Sequence, residues 1–187
     1  YLLFVGNAKP HKNLSRLLRA FDRVAADRPR LHLLLAGAAE PAWLADRLAR
    51  LAAADRVRAV GRLSDADLPS VYARALALCA PSLYEGFGLP ALEAMACGTA
   101  VIAGRAGALP EVVGDAALLV DPRDEAAIAE AIATVVDDEG RRRRLGDSGR
   151  RRAATYTWER AAANVSRQYA RALGQEPGQE PGREPGS

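Results

Sequence analysis

LALCAPSLYEGFGLPALEAMACGTAVIA, residues 76–103, sets two short apolar runs, 76–81 and 99–103, on either side of a helical stretch at 90–97. Both runs are mostly apolar throughout rather than alternating, which predicts strands covered on both faces, as in a parallel sheet. Parallel neighbours need a crossover, and the intervening helix supplies one. Such crossovers are right-handed, so each strand-to-helix loop emerges on the carboxyl edge of the sheet.

The same alternation continues in both directions. Strands are expected at 1–6, 31–37, 57–61 and 117–121, most of them ending in Gly, Pro or Asp. Helices are expected at 13–26, 41–54, 65–75, 109–113, 124–136, through the arginine-rich stretch that follows, and at 158–173. The first carries Leu14, Leu17, Leu18, Phe21 and Val24, a three-to-four spacing that marks one buried face. The predicted fold class is therefore α/β, a doubly wound parallel sheet of about six strands, Rossmann-like. Ligands of such folds sit in the crevice outside the carboxyl edge.

With 49% apolar residues the chain can bury a substantial core, which excludes wholesale disorder. One domain is expected over 1–173, and the repeating Glu-Pro-Gly tail, 174–187, is expected to be disordered. No apolar run approaches the eighteen or so residues of a membrane span, and no secretory leader opens the chain. A cytoplasmic location is expected. The start at Tyr1 rather than Met reads as a piece of a longer protein. Of the 26 basic residues only Lys9 and Lys12 are lysine, and the arginine excess reads as compositional bias. The formal charge is +3, of which the tail contributes −2, leaving +5 for the body. That suits an anionic ligand or a peripheral contact at the inner membrane face and does not call for nucleic acid. Cys79 and Cys97 match no zinc or redox spacing, and no metal site is expected. Cys79, Cys97, His32 and the surroundings of Met95 are assigned to packing.

Three loops stand out. Residues 6–13, GNAKPHKN, combine a glycine turn with Lys12 beside a helix amino end, where amides and dipole favour an anion. Asn13 or Ser15 is expected to cap that helix. Residues 81–90, PSLYEGFGLP, expose backbone amides at Gly86 and Gly88 ahead of Pro90, a natural cradle for phosphate oxygens. Glu93 follows one turn into a helix whose neighbours Leu92, Ala94, Met95 and Ala96 read as buried. A carboxylate there needs partners, and ribose hydroxyls would serve. Residues 104–111, GRAGALPE, are weaker evidence and read as a plain loop.

GFGLPALEAMACGTAVIA, preceded by Pro81-Ser82 and by Glu85, resembles the donor-site signature of family 4 of the retaining glycosyltransferases, in which two glutamates eight apart flank a glycine loop. Residues 6–13, Val60-Gly61 with 68–72, 107–112 and the run YTWER at 156–160 agree in order, so the likeness spans roughly 2–173. The resemblance implies one Rossmann-like half, the carboxyl-terminal one, of a two-domain GT-B fold. It implies a nucleoside-diphosphate sugar (GDP-, UDP- or ADP-linked) as donor substrate, with no tightly bound cofactor. It also implies that the acceptor is bound by an amino-terminal domain, without which the isolated chain is inactive. Carried over residue by residue, Lys12 contacts the diphosphate and Glu93 the ribose. Glu85 and the backbone of Gly86, Phe87, Gly88 and Leu89 hold sugar and phosphates. Lys12 and Glu85 are thus the expected catalytic residues. Many members have arginine directly after the first-strand glycine, where this chain has Asn7; Arg105 or His11 are the candidates to make up that charge. The donor sugar is read by analogy as mannose or another hexose, for saccharide or lipid-linked assembly. A non-catalytic nucleotide-binding module and a nucleotide-sugar 2-epimerase are the alternative readings.

Two further signals are discounted. Asp65-Ala66-Asp67 mimics a metal-binding Asp-x-Asp, but Ser64 followed by Asp67 makes a helix cap. The arginine runs 141–144 and 150–152 read as a solvated helix face, with contact to anionic lipid as the second reading.

Overall fold

The computed structural model describes residues 1–37 and 41–174; apart from Gly174, the expected tail lies outside the described residues. Residues Tyr1–Ala153 form one compact unit and the segment from Ala154 a second. In the first unit, β1 (Leu2–Val5), β2 (Leu33–Ala36), β3 (Val57–Gly61), β4 (Ala77–Ala80), β5 (Ala100–Gly104) and β6 (Leu118–Val120) form one sheet. Its order is β3-β2-β1-β4-β5-β6 and every pairing is parallel. All of the expected strands are present: the inner ones are runs of apolar side chains that a doubly covered sheet buries, while β3, at the edge, carries Arg58 and is exposed beyond Val57.

Successive residues of a strand face opposite sides, and this divides the core in two. Leu2, Phe4, Leu33, Cys79 and Ile102 pack against α1 (Leu14–Ala25) and α6 (Glu125–Asp137). Leu3, Leu78, Val101 and Ala103 face α4 (Leu89–Ala96) and α5 (Leu109–Val113) through Ala94, Met95 and Leu109. Cys79 and Met95 are core residues as expected, and Cys97 is half-buried. His32 is not: it is exposed just ahead of β2, where its carbonyl accepts from the Leu2 amide. The helix expected at 41–54 ends earlier, as α2 (Pro41–Leu48), and the rest turns through a 3-10 segment at Ala54–Arg56. That expected at 65–75 narrows to α3 (Leu68–Arg74), preceded by a turn in which Ser64 Oγ accepts from the Asp67 amide at 3.2 Å.

The arginine-rich stretch forms α7 (Glu139–Ala153) and only part of it is a solvated face. Gly146 and Gly149 are buried, and a Cβ at Gly146 would come within 2.2 Å of the Gly98 carbonyl oxygen. The absent side chain is what lets α7 lie against the end of α4. From α7, Arg142 donates to Val135 O at 2.7 Å, Arg150 to Cys97 O at 3.4 Å and Arg152 to Val112 O at 3.0 Å. These carbonyls end α6, α4 and α5, where a helix leaves acceptors unsatisfied and its dipole favours cations. Arg141 and Arg144 are exposed. In the second unit, α8 (Trp158–Ala172) begins at Thr157, whose side chain accepts from the Arg160 amide at 3.2 Å.

Candidate functional site

In the observed strand order the chain reverses direction of winding between β1 and β4, so the loops after these two strands flank the switch point at which such sheets bind ligands. The β1 loop is pressed close to the sheet. A Cβ on Gly37 would lie 2.2 Å from the Gly6 carbonyl oxygen, so the backbone there cannot carry a side chain. Asn7 Oδ1 accepts from the Lys9 amide at 3.2 Å, and a 3-10 turn at Pro10–Lys12 leads to Asn13.

Asn13 stands at the amino end of α1 but does not cap it. Its backbone is left-handed (φ 60°), and its buried side-chain amide donates to Pro81 O at 2.9 Å and Pro122 O at 2.6 Å. Asn13 therefore fastens the β1, β4 and β6 loops together, and the expected cap is absent. Ser15 is no cap either; its hydroxyl accepts from Arg47. Nearby, the Leu83 amide donates to His11 O at 2.7 Å.

These ties bring Lys12 to Glu85. Lys12 Nζ and Glu85 Oε1 are 2.7 Å apart, with side chains 16% and 13% exposed. Ser82, itself buried, donates its hydroxyl to the same oxygen at 2.7 Å. An ammonium carries three donors, so the ion pair leaves Lys12 further N–H groups for an anion. No hydrogen bond to Glu85 Oε2 is found among the described residues.

The 104–111 loop is more than a plain connection. A Cβ on Gly104 would approach Ser82 O to 2.3 Å, and one on Gly107 (φ +57°) would approach Glu85 O and N to 2.6 and 2.7 Å. The Ala108 amide donates to Glu85 O at 3.0 Å. This loop is the backing against which Glu85 is set. The glycines of GRAG were its signal, but nothing in the spacing said which backbone they would touch. Arg105, a candidate to replace a missing charge, turns its guanidinium to Leu119 O at 3.4 Å instead.

At α4, Gly88 is left-handed (φ 97°) in the N-cap position and no side chain caps the helix. Tyr84, Phe87 and Leu89 are exposed around this start. Glu93 is exposed as well, contrary to the expectation of a buried setting: Ala94 and Met95 face the core, but Ala96 looks outward with Glu93. Its partner is Tyr72 of α3, whose hydroxyl donates to Glu93 Oε2 at 2.8 Å. Burial, and then the bond to Glu93, push the Tyr72 phenol well above its usual range.

Fold and site together define a doubly wound, Rossmann-like α/β domain whose switch point carries the Lys12–Glu85 pair. Residues 1–152 match the family described as Glycosyl transferases group 1, and the chain belongs to that family. It is 42% identical over 171 residues to the MMP alpha-(1->4)-mannosyltransferase of Mycolicibacterium hassiacum, covering 89% of this chain and 41% of that protein. Among solved structures, the sucrose-phosphate synthase of Thermosynechococcus elongatus superposes with a TM-score of 0.78 at 32% identity, over 92% of this chain and 45% of that one. The C-terminal domain of a Francisella tularensis group 1 glycosyltransferase (LpcC) does so with a TM-score of 0.73 at 27% identity, over 83% and 85%. The fold is thus a Rossmann-like half of a GT-B glycosyltransferase, and the chain spans less than half the length of the curated relative described here. No described helix is long and apolar enough to cross a membrane.

Proposed function

We propose that the chain is the donor-binding part of a retaining glycosyltransferase that takes a nucleoside-diphosphate hexose. The observation that carries this reading is the Lys12–Glu85 pair at the switch point, beside the uncapped amino end of α4. Lys12 and the backbone amides of Gly86, Phe87, Gly88 and Leu89 receive the diphosphate, with Asn7 alongside. Their main work is on the leaving group: as the bond from the anomeric carbon to phosphate breaks, negative charge grows on the departing oxygens, and preorganised donors there lower the barrier. Glu85 already accepts from Lys12 and Ser82 through Oε1 and offers Oε2 to the donor sugar. Glu93 takes the ribose hydroxyls. With the acceptor attacking from the leaving-group side, no covalent enzyme intermediate forms.

The acceptor is bound by a further part of the molecule outside these 187 residues, in keeping with coverage of 41% of the mannosyltransferase. Mannose is the donor sugar that this relative's name favours. By itself the chain is expected to bind donor without turnover.

Calorimetric titration with UDP, GDP and ADP tests the reading. One of the three should bind. Lys12→Ala should weaken it on the order of a hundredfold, the worth of a charge-assisted contact to phosphate, and Glu93→Ala by about tenfold. A folded chain that ignores all three, or an unchanged affinity in Lys12→Ala, would overturn it.

A further inference from the structure

We infer that Tyr72 is a positioning residue for the nucleotide, setting the Glu93 carboxylate in the orientation that receives the ribose. The inference rests on the reading of Glu93 as the ribose carboxylate. Glu93 is exposed, and an exposed glutamate ordinarily samples several rotamers that binding must then freeze. Here one of its oxygens is already held: Tyr72 Oη donates to Oε2 at 2.8 Å, while no hydrogen bond to Oε1 is found among the described residues.

Tyr72 itself is anchored by burial. Its side chain is 1% exposed within the core between α3 and α4, and its backbone carbonyl accepts from the buried Thr99 hydroxyl at 2.7 Å. Its hydroxyl is therefore a fixed point, tied through Thr99 to the start of β5. A tyrosine kept in the core for bulk alone has no use for a hydroxyl aimed at the glutamate of a neighbouring helix. The raised phenol keeps the proton on Tyr72 throughout the ordinary pH range, so it remains a donor to the carboxylate. Each carboxylate oxygen accepts more than one hydrogen bond, and Oε2 stays competent for a ribose hydroxyl while Tyr72 holds it.

Tyr72→Phe removes one oxygen and keeps the ring, and the probe is the nucleoside diphosphate that the chain binds, compared with its 2′,3′-dideoxy analogue. In the unaltered chain the ribonucleotide should bind more tightly than the dideoxy form, and Glu93→Gln should abolish that preference. Tyr72→Phe should weaken the ribonucleotide about three- to tenfold and leave the dideoxy form unchanged, narrowing the preference while the melting temperature stays within a few degrees. Equal weakening of both ligands would mean that Tyr72 acts through the fold, and would overturn the inference. A preference lost in Glu93→Gln but kept in Tyr72→Phe would overturn the inference and leave the ribose reading standing. No preference in the unaltered chain, or no binding of any nucleoside diphosphate, would remove the ribose reading and the inference together.

Discussion

The two edges of the sheet treat helix ends in opposite ways. On the carboxyl edge, α1 and α4 begin with Asn13 and Gly88, neither of which caps its helix with a side chain. No side chain takes up their first amide donors. Away from the switch point, α6 begins with Asp124, whose side chain accepts from the Ala126 and Ala127 amides. On the amino edge, where the crossover helices end, carbonyls meet guanidinium groups: Arg56 donates to Ala25 O at 2.7 Å at the close of α1, and Arg142, Arg150 and Arg152 serve α6, α4 and α5. On one edge the chain's own arginines meet the helix ends, and on the other, at the switch point, no side chain caps α1 or α4. Lys12 stands at the open edge, beside a glutamate that fixes it.

If the edges are separate in purpose, substitutions of similar steric violence should have dissimilar effects. Gly107→Ala at the open edge drives a Cβ to 2.6 Å from Glu85 O with a positive φ, and Gly146→Ala at the closed edge drives one to 2.2 Å from Gly98 O. Each should cost about 2–4 kcal/mol of stability, which for a chain this long is a drop of roughly 5–15 °C in melting temperature. Only Gly107→Ala should also weaken nucleoside diphosphate, by tenfold or more, because it displaces Glu85. Equal affinities for the two variants, measured well below their melting temperatures, would dissolve the distinction.

The arginines give a smaller effect of the same kind. Arg152→Ala strips the end of α5, and Arg142→Ala that of α6. Charge-assisted bonds of this sort are worth about 1–2 kcal/mol each when part-buried, or a fall of some 2–8 °C by thermal melts. Nucleotide affinity should not change. A loss of affinity in Arg152→Ala with an unaltered melting temperature would give α7 a part in binding instead.

Much of this was legible in the residues, and the exceptions share a cause. The inner strands declare themselves because burial on both faces requires an unbroken apolar run, and the loops around Gly6 and Gly88 because their backbone takes a positive φ that glycine favours. Asn13 was legible as a helix start but not as a staple, since its acceptors Pro81 and Pro122 lie 68 and 109 positions away. The α7 arginines were visible as a run, yet a run cannot say which side chains meet solvent and which meet carbonyls 40 residues distant in the chain. Glu93 was misjudged for a similar reason: α4 turns one face outward, and alanine and leucine suit either face. What escapes is pairing across long sequence separations, and the orientation of Glu93 by Tyr72 is of that type.

The smallest expected effect concerns Asn7, in the loop after β1. Asn7→Arg would put a second cation beside the diphosphate. A partly exposed contact of this kind is worth about 1 kcal/mol or less, so affinity should rise about threefold to fivefold. Against it stands the loss of the Asn7 bond to the Lys9 amide, a neutral and exposed interaction of about 0.5 kcal/mol that steadies the loop before Lys12. The charge should prevail at low salt. Raising the ionic strength toward 0.5 M should erase most of the gain, because the new contact lies where mobile ions can screen it. A gain that survives salt would point to a reshaped loop rather than added charge. A fall in affinity at every salt concentration would mean that the turn at Asn7 matters more than the missing cation, and that this chain holds the diphosphate with Lys12 and backbone amides because its first loop is built for that alone.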